Sequence, residues 1–88
     1  MGKVQIFYIY ADNCKDCEKA KESINIAIKQ SGVECEFKKF NFESKVALNI
    51  AINNDIENLP ACIIGSNVFQ GQDFEVDKIV KALNNTAK

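Results

Sequence analysis

Cys14 and Cys17 stand three residues apart where a strand-like run gives way to a helix-like one, and that junction constrains the chain more than any other feature. Upstream, KVQIFYIY (3–10) is rich in β-branched and aromatic residues. It is apolar at successive positions, the pattern of a strand buried on both faces. Downstream of Cys17, apolar residues recur at helical spacing, at Ala20, Ile24 and Ala27/Ile28. Asp12 or Asn13 offers a cap for that helix and Gly32 a terminator.

A Cys-x-x-Cys pair in that setting has a defined chemistry. Residues three apart on a helix share a face, which brings their Cα atoms within the ~4.4–6.8 Å that a disulfide requires. The first cysteine lies where unpaired N–H groups and the positive end of the helix dipole converge, and these stabilise the reactive thiolate. The second lies a turn further in and is better shielded. Cys14 is therefore expected to attack and Cys17 to resolve. Lys15 favours the Cys14 thiolate and Asp16 opposes it, which leaves the helix terminus as the main bias.

Composition removes several rival chemistries. The chain has 88 residues, a net charge of −1, no histidine, and eleven basic residues that are all lysine. Without histidine there is no Cys–His or Ser–His nucleophile and no Cys₂His₂ zinc site. A metal bound by the pair would need Cys35 and Cys62 to converge on it from separate strands, so no metal and no resident cofactor are expected. The charge balance advertises neither nucleic acid nor an anionic membrane as partner. No apolar run approaches the ~20 residues of a membrane span. The opening MGKVQIFYIYADN lacks a signal-peptide cleavage site, and Ile6 stands where a myristoylation signal has Ser or Thr. The expected compartment is a reducing cytoplasm, where thiols stay free unless they have a role.

The remaining elements follow from pattern. VECEFKKF (33–40) alternates Val33, Cys35 and Phe37 with Glu34, Glu36 and Lys38, as an edge strand with one buried face does. A second helix fits Ser44 to about Asn54, with Val46, Ala47, Ile50 and Ala51 on one side. LPACIIG and NVFQG read as a hairpin turning at Gly65-Ser66-Asn67. Asp73 is expected to cap a last helix striped by Val76, Ile79, Val80 and Leu83. The order is β-α-β-α-β-β-α in one domain, 1–88. Strands one and two are parallel through the helical crossover, and three and four are antiparallel. Cys35 and Cys62 read as core thiols.

At this level the sequence resembles the thioredoxin/glutaredoxin superfamily. The resemblance covers nearly the whole chain: a strand, Cys14-Lys15-Asp16-Cys17, a helix, the approach Ile56-Glu57-Asn58-Leu59-Pro60, the hairpin, Gly71 and a terminal helix. It implies an α/β thioredoxin fold, a four-stranded mixed sheet in the order 2-1-3-4 with helices on both faces. It also implies a cis Leu59–Pro60 bond, with Leu59 and Pro60 lying against the substrate backbone and Gly71 closing the final strand nearby. Asn13 and Lys15, on either side of Cys14, are expected to contact substrate. Lys15-Asp16 replaces the Gly-Pro of thioredoxins and the Pro-Tyr of glutaredoxins. Tyr8 falls where the family's buried acid would be, and Gln70-Gly71 replaces the glutaredoxin Gly-Gly pair.

The function expected is that of a dithiol protein-disulfide oxidoreductase, monomeric, acting on disulfide-containing proteins. A thiol reductase or glutathione would be its electron donor. The competing expectation is a binding module that keeps the fold without turnover, either metal-binding or redox-sensing.

Overall fold

Residues 3–12, 14–71 and 73–87 are described by a computed structural model. The element order is β1 (Val4–Tyr10), α1 (Lys15–Ser31), β2 (Cys35–Asn41), α2 (Lys45–Asn53), β3 (Ala61–Ile64), β4 (Asn67–Gln70) and α3 (Val76–Ala87). The four strands form one mixed sheet in the order β2-β1-β3-β4. β1 runs parallel to β2 and antiparallel to β3, and β3 pairs antiparallel with β4. The order implied by the resemblance is thus the order observed.

Strand alternation divides the apolar residues between the two faces. Val4, Ile6 and Tyr8 of β1 join Cys62 and Ile64 of β3 in the larger core. α1 and α3 cover it with Cys17, Ala20, Ile24, Ala27, Ile79 and Leu83. Ile24, Ile79 and Leu83 are wholly buried, so truncating any one to alanine is expected to cost about 2–5 kcal/mol. The opposite face carries a smaller cluster of Ile9, Ala47 and Ala61, supported by Phe40, Ile50 and Leu59.

α2, nine residues long, is all that covers this second face in that cluster, and it reaches only the end near Ile9. β1 is accordingly an inner strand, as expected, but is not buried throughout: Gln5 is exposed and Phe7 half-buried. α2 itself departs from its expected stripe. Ala47 is buried, whereas Val46 is half exposed, because so short a helix presents little more than one residue per turn to the sheet.

The helix ends show how local sequence sets boundaries. α1 ends at Gly32, whose φ of 68° is left-handed and whose amide bonds the Ile28 carbonyl. Ser44 caps α2 by accepting the Ala47 amide at 3.1 Å. Asp73, expected to cap α3, does not. Its amide donates to Gln70 O and its carbonyl accepts from Glu75 N, so residues 73–75 form a turn and the helix starts at Val76. The ring of Phe74, packed against Phe69 at 6.4 Å, ties that turn to the core.

Candidate active site

Four residues separate the end of β1 at Tyr10 from the start of α1 at Lys15, and the last of them, Cys14, is the helix N-cap. Its backbone is extended (φ −91°, ψ 111°). Asp12, one of the expected caps, does not hold that position, and Asn13, the other, lies outside the described residues. An N-cap side chain ordinarily offers an oxygen to the second or third helical amide, here those of Asp16 and Cys17. Cys14 offers sulfur. A thiolate there faces unpaired amides and the positive end of the helix dipole.

Cys17 is the third helical residue and points into the core, with 8% of its surface exposed, while Cys14 is half-buried. Their Cα atoms are 5.4 Å apart and the sulfurs are joined in a disulfide. The expected inequality between the two thiols is therefore present in their burial.

A cleft of about 700 Å³ opens beside the pair. Tyr8 and Tyr10 of β1, Lys15, Glu18 and Lys21 of α1, and Lys39 of β2 form its walls, with Asp12 in the connection that follows β1. Tyr8 is the floor. Its hydroxyl donates a buried hydrogen bond to the Cys17 carbonyl at 2.7 Å. Its ring stacks near Phe37 at 5.7 Å and Tyr10 at 6.1 Å. Burial, and then the neighbouring Cys62 and Glu18, push the Tyr8 phenol up to about 12. It remains a neutral donor where the resemblance would place a carboxylate. In the sequence Tyr8 stands out only as a departure from the family pattern. The signal was available, since Val4, Ile6, Tyr8 and Tyr10 alternate onto the face that α1 covers.

The other expected site residues are distributed around the same end of the sheet. Lys15 lines the cleft with both cysteines. The Leu59–Pro60 bond is cis, as expected, and Pro60 is buried. Its carbonyl accepts the Gly71 amide at 2.9 Å. Gly71 and Phe74 face Asp16, Lys19 and Ala20 across a smaller pocket, on another side of α1 from the cleft. Leu59 turns to the second face of the sheet, where it lines an apolar groove of about 190 Å³ with Ile9, Phe42 and Leu48.

The two free thiols are Cys35 and Cys62. Cys62 is wholly buried, which pushes its thiol up to about 12. Cys35 packs against the larger core and donates to the Val33 carbonyl, and its partial burial raises its thiol as well. Among the described residues, no three Cys, Asp or Glu side chains converge as metal ligands would.

No protein-family model and no curated protein sequence matches the chain. Solved structures do match it. An uncharacterised thioredoxin-like protein from Clostridium perfringens superposes with a TM-score of 0.74, over 97% of this chain and 71% of that one, at 20% identity. The chain has a thioredoxin fold. Thioredoxin O2 from Arabidopsis thaliana, in its oxidised state, shares the fold at 15% identity and a TM-score of 0.67, over 98% of this chain and 76% of that one. Fasciola hepatica thioredoxin does so at 18% identity and a TM-score of 0.64, over 99% and 83% respectively. At these identities the likeness is one of fold. Within the thioredoxin fold, the Cys14–Cys17 pair occupies the junction of the first strand and first helix.

Proposed function

We propose that the chain is a thiol–disulfide oxidoreductase that works through Cys14 and Cys17. The observation that carries this reading is the geometry of the pair: a half-buried N-cap cysteine and a shielded cysteine one turn on, joined in a disulfide with Cα atoms 5.4 Å apart. The chemistry proceeds in two exchanges. The Cys14 thiolate attacks a substrate disulfide, forming a Cys14–substrate bond and expelling one substrate thiolate. The Cys17 thiolate then attacks the Cys14 sulfur, forming the Cys14–Cys17 bond and releasing the second substrate thiolate. Two electrons pass to the substrate, and both departing sulfurs take protons from water. A thiol reductase or glutathione restores the dithiol by the reverse exchanges.

In this reading the substrates are disulfide-bearing proteins. Lys15 meets them at the cleft, and the backbone at Leu59 and Pro60, with Gly71, supplies contacts around the end of the sheet. The test is reduction of insulin by dithiothreitol, followed as turbidity, with and without the protein. Acceleration that disappears in Cys14→Ser is the expected result. A wild-type rate no higher than that of dithiothreitol alone would overturn the reading.

A further inference from the structure

We propose that Tyr8 is a positioning residue for the resolving step, its hydroxyl pinning the Cys17 peptide so that the Cys17 sulfur stays aimed at Cys14. The inference rests on the dithiol reading above and assigns a role within it that neither cysteine fulfils.

The first turn of a helix is its least restrained, because its leading amides lack partners within the helix. Cys17 lies in that turn of α1. Its carbonyl, like any in a helix, serves the amide four residues on, and a carbonyl oxygen has a second lone pair to offer. Tyr8 occupies it from below at 2.7 Å, in a buried bond that spans nine residues of chain.

The donor is itself firmly held. Tyr8 is 2% exposed, lies on an inner strand between β2 and β3, and stacks near Phe37 and Tyr10. Among the described residues no charged side chain is buried, so the phenol is the polar group that anchors this turn to the sheet. Its environment keeps it protonated, and hence a donor, throughout the pH range in which thiols exchange.

The anchor acts on one cysteine only. Cys14 precedes the helix and its carbonyl is not the acceptor. Attack on substrate therefore does not use the Tyr8 hydroxyl. Resolution, which needs the two sulfurs to meet in bonding geometry, depends on it.

The test separates the two steps. Reduced protein, carrying Cys35→Ala so that only the pair and the sealed Cys62 remain, is mixed with one equivalent of dithiobis-nitrobenzoate. The first coloured thiolate released reports attack by Cys14. The second, released as the Cys17 thiolate attacks the Cys14 sulfur and displaces thionitrobenzoate from it, reports resolution. With Tyr8→Phe, which keeps the ring and its stacking, the first release is expected within about twofold of the parent rate. The second is expected to slow about tenfold or more, as misplacing a reacting group does.

Equal slowing of both releases, or of neither, would overturn the proposal. A parent protein that gives no second release would instead refute the dithiol reading itself. A measurement on unsubstituted protein guards against a variant that folds poorly. In the reduced form the Tyr8 hydroxyl proton is expected as a slowly exchanging NMR signal, and a freely exchanging hydroxyl would overturn the proposal without any substitution.

Discussion

Gln70 holds Asn58 in place: its side-chain oxygen accepts the Asn58 amide at 3.1 Å and the adjoining Glu57 amide at 2.8 Å. Gly71, the residue that follows β4, bonds back to the Pro60 carbonyl. The loop that carries Leu59 and Pro60 is thus latched to the end of the last strand. Gln70→Ala removes two solvent-exposed bonds and is expected to cost about 1 kcal/mol, which lowers Tm by about 4–8 °C in a domain of this size. Hydrogen exchange would find the Glu57 and Asn58 amides faster, with the β1 amides unaffected. Unchanged exchange at residues 57 and 58 would show that the latch is not what orders the loop.

Cys17→Ser is expected to accumulate mixed disulfides with substrate, whereas Cys14→Ser accumulates none. Cys14, at the N-cap, retains its thiolate-stabilising surroundings in the first variant, and serine is too weak a nucleophile to displace the substrate. Non-reducing gels, repeated after dithiothreitol, read the outcome. Equal trapping by both variants would reverse or dissolve the division of roles between the two cysteines.

Two glycines separate backbone strain from steric contact. Gly32 and Gly65 both have left-handed φ, 68° and 60°. A Cβ on Gly32 would meet nothing within 4 Å, while one on Gly65 would lie 2.7 Å from Thr86 Oγ1. Gly32→Ala is expected to lose about 1–2 kcal/mol from conformation alone. Gly65→Ala is expected to lose more, with the excess recovered by adding Thr86→Ala. Urea unfolding of the three variants checks the ordering. Equal losses at the two glycines would mean that Thr86 rotates away without cost.

Alkaline pH is expected to destabilise the fold through Cys62 and Tyr8. Burial raises both groups to about 12 in the folded protein, from ordinary values of about 9 and 10. A raised pKa means that the folded state holds its proton while the unfolded state has lost it. The associated stability is fully present below pH 9 and is lost as pH rises from there toward 12, by at most about 1.4 kcal/mol per pH unit for each group. Cys62→Ala is expected to flatten the decline between pH 9 and 10, leaving the part due to Tyr8 above that. A decline identical to that of the parent protein would assign the alkaline loss to other groups.

The disposition of elements was legible in local pattern. Successive apolar residues mark β1, helical spacing from Ala20 to Ala27 marks α1, and Gly32, Ser44 and the Gly65-Ser66 turn punctuate the chain, because propensity, capping and left-handed φ are decided within a few residues. The pairing distance of Cys14 and Cys17 was legible for the same reason, one helical turn being a local ruler. What the tertiary structure decided are relationships between residues far apart in sequence. The Tyr8 hydroxyl reaches Cys17, and Gln70 reaches across to Glu57 and Asn58. Leu59 turns to the face opposite the cleft, while Lys39 joins the cleft from the neighbouring strand. The start of α3 belongs with these. Asp73 is a good cap by composition, but the packing of Phe74 against Phe69 holds residues 73–75 in a turn and delays the helix to Val76. Local rules say which residue suits a position, and which position it occupies depends on what the folded sheet brings within reach.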